Sequence, residues 1–126
     1  MPGYLFDSNI LIYSASPDIA YDTLRDLLIL PDGAVSAISQ VEVLGFPRLT
    51  TPDRFYLEAM FEALEIIPVT NQVILLAISL AKRHNLKAVD AIIAASSITT
   101  QRTLVTSDHH FKNVADLQVW FQPISS

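Results

Sequence analysis

Residues 4–13 read YLFDSNILIY, an apolar run that is interrupted at Asp7 and then resumes. The first part is typical of a short buried strand, and the second part indicates a helix that begins near Ser8. Ligands of open α/β sheets bind at the carboxyl ends of the strands, so Asp7 lies where chemistry is usually carried out. An aspartate at this point is also a good N-cap for the following helix, and Asp7 alone does not separate these two roles.

The rest of the chain repeats the alternation of short strands and helices. Further strands are predicted near residues 34–38, 66–69, 103–106 and 117–120. Helices are predicted over residues 19–28, from residue 39 to the break at Pro47, and over residues 51–64, 71–85 and 86–95. Pro68 favours an edge position for its strand, because proline cannot donate a ladder hydrogen bond. No repeat, linker or low-complexity segment interrupts the pattern. We therefore expect one domain over residues 1–126, an α/β sandwich with a mainly parallel sheet.

The composition indicates a folded, self-associating protein. Of 126 residues, 51% are hydrophobic and 17% are charged, which excludes disorder and leaves little polar surface for a free monomer. The absence of cysteine excludes a disulfide framework and thiolate metal ligands and suits the reducing cytoplasm. With no basic leader and no apolar run of the roughly 18 residues that a membrane span needs, we expect a soluble protein without a signal peptide.

The net charge bears on possible partners. Eight Lys and Arg face 13 Asp and Glu, a formal charge of −5, which by itself argues against a nucleic-acid partner. If four of the acids served a metal, however, the remaining charges would nearly balance. The basic residues are scattered along the chain, so a basic groove would have to be assembled in three dimensions, for instance across a dimer.

Four acids occupy comparable places in this pattern: Asp7, Glu42, Asp90 and Asp108. Asp7 and Asp108 follow strands, whereas Glu42 and Asp90 lie in the opening turns of helices. An alternative for Glu42 is a capping box, because Ser39-x-x-Glu42 is its signature. An alternative for Asp90 is compensation of the helix dipole, although its apolar surroundings favour a metal ligand.

In a right-handed parallel layout these four positions share one rim of the sheet. Carboxylates that converge there would repel one another unless a divalent cation lay among them. Oxygen ligands without cysteine select Mg²⁺ or Mn²⁺ over Zn²⁺. Such a site suits phosphodiester hydrolysis, because the cation can activate water and offset charge on the phosphate.

The same residues carry a family resemblance. Phe6-Asp7-Ser8-Asn9, Ser39-x-x-Glu42, Leu86-x-x-x-Asp90-Ala91-x-Ile93-Ala94-Ala95 and Thr106-x-Asp108-x-x-Phe111 resemble the four ordered motifs of PIN-domain ribonucleases, in particular the small VapC-type toxins of bacterial and archaeal toxin–antitoxin pairs. The resemblance spans residue 4 to about residue 120. It implies a three-layer α/β/α sandwich around a parallel sheet of four or five strands.

The resemblance also implies a function: Mg²⁺- or Mn²⁺-dependent cleavage of RNA, homodimerisation and inhibition by a protein antitoxin. Its metal-coordinating and catalytic acids would be Asp7, Glu42, Asp90 and Asp108, and Asn9 and Thr106 would support them through hydrogen bonds. Asp108 stands at the most variable of these positions. The alternative is a PIN-like binding or regulatory module that no longer cleaves, and the four intact acids favour the enzyme.

Two histidines adjoin the last motif. His109 and His110 could contact a phosphate, but consecutive residues point in different directions. A catalytic role for them is therefore less favoured than one for the acids.

Overall fold

The computed structural model describes residues 3–124. Its strands are β1 (Tyr4–Phe6), β2 (Gly33–Ser36), β3 (Glu65–Ile67), β4 (Thr103–Thr106) and β5 (Val119–Phe121). Its α-helices are α1 (Ser8–Ser14), α2 (Asp22–Leu28), α3 (Ala37–Leu44), α4 (Thr51–Ala63), α5 (Asn71–His84) and α6 (Ala88–Thr99), with 3-10 turns at Ile19–Tyr21 and His109–Phe111. Among the described residues, no helix has the length and apolar character that crossing a membrane requires.

The five strands form one sheet in the order β3-β2-β1-β4-β5, and every neighbouring pair is parallel. The mainly parallel sheet predicted from the sequence is thus confirmed. The predicted edge position of this strand is also found, because β3 lies at one margin, but β3 ends at Ile67 and Pro68 follows the strand. Strand β1 is central, so Asp7 at its carboxyl end lies between the ends of β2 and β4.

Helices cover both faces of the sheet and give the sandwich three layers. On one face, Leu5 and Leu104 belong to a buried cluster with residues of α5 and α6. On the other face, Phe6 and Val105 belong to a second cluster with residues of α1, α2 and α4. Successive strand residues enter opposite clusters because side chains alternate between the faces of a strand.

The ends of the helices follow local capping chemistry, with one correction to the sequence analysis. Thr70 caps α5 as predicted, its hydroxyl accepting from the backbone N–H of Val73 at 3.2 Å. The predicted capping box of Ser39 and Glu42 is wrong, because α3 begins at Ala37 and Ser36 is its N-cap. Ser39 therefore lies inside the helix, and Glu42 lies in its second turn with its carboxylate free for another role.

Candidate active site

Asp7 is both a helix cap and a buried acid. Its Oδ1 accepts from the Ser8 backbone N–H at 2.8 Å, and its Oδ2 accepts from Thr106 Oγ1 at 2.7 Å. Only 4% of the residue is exposed. Burial raises the pKa of Asp7 to about 6; the two hydrogen bonds oppose this rise, and the charges of Asp90 and Glu42 add to it. The capping role is thus real and leaves the carboxylate in an electrostatically unfavourable place.

Asp90 lies among the other acids. It is the third residue of α6, where the positive end of the helix dipole suits a carboxylate, and it is partly buried. Burial raises the pKa of Asp90, and the charges of Asp108 and Glu42 raise it further, against the opposing effects of His110 and Lys87. Asp90 therefore interacts with acids from three other parts of the chain.

Glu42 reaches this group of acids from α3 and is positioned by two serines. Ser8 Oγ donates to Glu42 Oε1 at 2.5 Å and is hydrogen-bonded to Ser39 Oγ at 2.8 Å. Both serines are buried, whereas Glu42 is exposed. The start of α1 thus contributes to the site twice, because Asp7 is an acid of the group and Ser8 orients another.

The end of β4 supplies Asp108 and Thr106. Thr106 Oγ1 accepts from the Asp108 backbone N–H at 3.0 Å while it donates to Asp7, so one hydroxyl joins the ends of β1 and β4. Asp108 Oδ1 accepts from the His110 backbone N–H at 2.8 Å and lies 3.0 Å from His110 Nδ1. Asn9, in contrast, is exposed, and no side-chain hydrogen bond between residues 3 and 124 was found for it.

The donor set fits a divalent cation. Ligand atoms of Asp90, Asp108 and His110 lie within 4.8 Å of one another. Asp7 and Glu42 are also close to this group, because Asp90 and Glu42 raise the pKa of Asp7 and Glu42 raises the pKa of Asp90. The raised pKa values of Asp7 and Asp90 reflect burial and mutual repulsion, which a bound cation would relieve. Carboxylate oxygens are the ligands that Mg²⁺ and Mn²⁺ prefer.

A cavity of about 260 Å³ opens beside these acids. It is lined by His84, Asn85, Leu86, Lys87, Asp90 and His110. Because basic and imidazole groups flank an acid here, an anion bound to a cation at the acids would meet favourable charge on the cavity wall.

Sequence reasoning named Ser8, Ser39 and His110 but missed the contacts that they make in this region. Ser8 lies inside the first motif, but nothing in the pattern indicates its contact with α3. Ser39 was assigned to a cap, because the start of α3 was placed too late. His110 required the backbone geometry of the 3-10 turn, which brings its ring beside Asp108 and that of His109 onto Phe121, with 4.4 Å between ring centroids.

Comparison with known proteins gives a consistent picture of the fold. The PIN domain family model matches residues 4–117. Among curated proteins, none matches the chain. A toxin–antitoxin complex from Klebsiella pneumoniae has a chain that is 24% identical, with a TM-score of 0.81, and the match covers 97% of this chain and 100% of that one.

Two further solved structures share the architecture. FitAcB from Neisseria gonorrhoeae is 27% identical, with a TM-score of 0.72 and coverage of 95% of this chain and 97% of that one. DNA-bound VapBC from Salmonella typhimurium is 17% identical, with a TM-score of 0.78 and coverage of 96% and 98%. The coverage leaves no large part of the fold without a counterpart.

Proposed function

Since the chain belongs to the PIN domain family, we propose that it is a metal-dependent endoribonuclease and the toxin of a toxin–antitoxin pair. The observation that carries this proposal is the grouping of Asp7, Glu42, Asp90 and Asp108 around the carboxyl end of the central strand. Their grouping does not favour stability, because burial and mutual repulsion raise the pKa values of Asp7 and Asp90. The acids suit a cation and a phosphodiester.

Each acid has a separate part in the proposed chemistry. Asp7 is held by Thr106 and Ser8, so its direction is set before any ligand binds. Asp90 is close to Glu42 of α3 and to Asp108, which follows β4, and would hold the cation from the helix side. A bound Mg²⁺ or Mn²⁺ supplies Lewis acidity, which favours ionisation of water and offsets charge that develops on the phosphate. No side-chain nucleophile is then needed.

The proposed partners follow from the neighbours and from the charge. The solved structures of the same fold include a toxin–antitoxin complex and DNA-bound VapBC, which supports a protein antitoxin for this chain. We further propose an RNA substrate, a homodimer and action in the cytoplasm, where the absence of cysteine is unremarkable.

A second candidate is a PIN-like module that binds RNA or a regulator without cleaving it. The net charge of −5, with only eight basic residues, favours this alternative. The two candidates differ in one measurable respect, because only the enzyme converts RNA to shorter products.

Cleavage of a labelled RNA in the presence of Mg²⁺ or Mn²⁺ tests the proposal. We expect products with a 5′-phosphate and a 3′-hydroxyl, formed even when the neighbouring 2′-hydroxyl is blocked, and no cleavage in EDTA. Asp7→Asn and Asp90→Asn keep the shape of the side chain but remove its charge, so each should lower the rate at least about a hundredfold. Asp26→Asn, at an exposed position of α2, is the matched control and should retain full activity.

Other outcomes would contradict this mechanism. Cleavage that survives EDTA, or products that end in a 2′,3′-cyclic phosphate, would exclude metal-assisted hydrolysis. RNA that binds but stays intact under all metal conditions would favour the binding module.

A further inference from the structure

We propose that His110 is a nitrogen ligand of the metal site, beside Asp90 and Asp108, and that it biases the site towards Mn²⁺ over Mg²⁺. This inference rests on the proposed function, since it concerns the same cation. It adds an imidazole to a site whose predicted ligands are all carboxylate oxygens.

The distances fit coordination of one ion. Ligand atoms of His110, Asp90 and Asp108 all lie within 4.8 Å of one another, and His110 Nδ1 lies 3.0 Å from Asp108 Oδ1. With metal–ligand bonds of about 2.1 Å, adjacent ligands of an octahedral ion lie about 3 Å apart and opposite ligands about 4.2 Å apart. The three side chains therefore need only small movements to bind one cation.

The local backbone presents the His110 ring to the acids. The 3-10 turn His109–Phe111 is anchored by Phe111, which is fully buried, and by the hydrogen bond from the His110 backbone N–H to Asp108. The His109 ring packs on Phe121, so it points away from this group. Only the second histidine of the pair can reach the cation.

The exposure of the ring favours a ligand over a purely structural contact. The His110 side chain is 77% exposed and lines the cavity next to Asp90, and Asp108 is 25% exposed. An ion pair at such a surface contributes little to stability. An imidazole that is free to turn towards the acids can, in contrast, replace a water in the coordination of a bound ion.

The nature of the donor determines the metal preference. Both ions accept oxygen ligands, but Mg²⁺ keeps several waters, whereas Mn²⁺, although it is the weakest-binding ion of the divalent transition series, accepts an imidazole nitrogen more readily than Mg²⁺ does. A site with two carboxylates and an imidazole should therefore bind Mn²⁺ more tightly than Mg²⁺. Loss of the imidazole should weaken Mn²⁺ binding more than Mg²⁺ binding.

The test combines titration with spectroscopy on the full chain at about pH 8, where imidazole is neutral. Isothermal titration should show Mn²⁺ affinity about tenfold lower in His110→Ala, with a smaller change for Mg²⁺. Pulsed electron paramagnetic resonance of the Mn²⁺-loaded protein should detect nitrogen hyperfine coupling in the wild type. His109→Ala is the matched control, and it should keep both the affinity and the coupling.

The outcomes separate this inference from the proposed function. Wild-type protein without nitrogen coupling, or His110→Ala with unchanged Mn²⁺ affinity, would overturn the role of His110 even if RNA is cleaved. Nitrogen coupling that disappears in His110→Ala would support that role even if no RNA is cleaved. A wild type that binds no Mn²⁺ would overturn the inference about His110. The proposed endoribonuclease activity is tested separately by the RNA cleavage assay.

Discussion

Asp7 shows at the scale of one residue how a folded chain tolerates an unfavourable charge. Its hydrogen bonds from Ser8 and Thr106 stabilise the carboxylate, but burial and two nearby acids outweigh them. A residue that was optimised only as a helix cap would be exposed, as Asp18 is at the start of the Ile19–Tyr21 turn. The burial of Asp7 is therefore a cost to stability, of the kind that proteins retain at functional sites.

This cost makes a prediction about pH. The pKa of Asp7 is raised from 3.8 to about 6 by burial, so the metal-free folded state binds its proton more tightly than the unfolded state does. The stabilisation by protonation is present below about pH 4 and is lost as pH rises through about 6, a loss of roughly 3 kcal/mol. We expect Asp7→Asn, which cannot ionise, to be more stable than the wild type at pH 7 and similar to it at pH 4.

Urea unfolding in EDTA at both pH values measures the difference. Asp18→Asn is the matched control, because Asp18 also caps a helical turn but is exposed, and it should show no such pH-dependent gain. An Asp7→Asn variant that is less stable than the wild type at pH 7 would contradict this account of the site.

What sequence could predict at this scale was which acids come together at the end of β1, not how their side chains are held. A carboxylate at the end of an apolar strand, or in an apolar helix, is easily recognised in the sequence. The contact of Ser8 with Glu42 cannot be recognised in the sequence, because it joins residues 34 positions apart through the packing of α1 on α3. The orientation of His110 likewise depends on a turn of three residues.

At the scale of elements, the connection from α6 to β4 contains a strained residue. Gln101 has a φ of 55°, in the left-handed region, two residues before β4, the strand that ends at Thr106 and leads to Asp108. This conformation costs an ordinary residue about 1 kcal/mol, and glycine adopts it without that cost. At the end of α5 the left-handed residue is Asn85, with a φ of 54°. At the end of α6 the corresponding left-handed residue is a glutamine.

We therefore expect Gln101→Gly to raise the free energy of unfolding by about 0.5–1 kcal/mol. Gln101→Ala keeps a side chain at the same φ and is the matched control, with little expected change. Urea midpoints of the two variants and the wild type give the answer. Equal midpoints for all three proteins would show that the left-handed conformation at this position carries no strain.

The elements themselves were largely predictable, whereas their ends were not. The start of α5 followed from Thr70, because its side chain caps the helix. Pro68 was expected inside an edge strand, but it lies just after the end of β3. The start of α3 was misplaced because Ser36 and Ser39 can both cap a helix, and only packing against β2 and α1 selects between them. Strand β5 begins at Val119, two residues later than predicted, since an edge strand has one partner to define it.

At the scale of the whole molecule, charge and apolar surface are unevenly distributed. From residue 71 to residue 89 the chain contains Lys82, Arg83 and Lys87 and no acid, although the whole chain has a charge of −5. On α5, Leu75 is 62% exposed and Ile78 is 50% exposed. Ile78 borders a shallow groove between α5 and α6 lined only by Ile74, Ala77, Ile78, Ala88, Ala91 and Ile92.

The segment from residue 46 to residue 64 is another candidate for a dimer contact, since Phe46 and Phe55 are exposed large apolar side chains there. The α5–α6 face is the better candidate, because its exposed residues adjoin an apolar groove that the same face of a second copy can fill. A two-fold contact there would also bring two basic segments together beside the acids. A single chain, whose basic residues are scattered along the sequence, has no basic groove of its own, and the groove would then be built from two chains.

The last prediction follows from this arrangement. Light scattering should give about 28 kDa for the wild type, twice the 13.9 kDa of one chain. Ile78→Asp places a charge in the contact and should give a monomer whose RNA affinity is at least tenfold lower, with a weaker dependence on salt, because fewer basic residues then meet one RNA. Phe55→Asp is the matched control and should stay dimeric. If Ile78→Asp stays dimeric and Phe55→Asp becomes monomeric, the contact lies at α4 instead. A monomeric wild type would exclude a groove built across two chains.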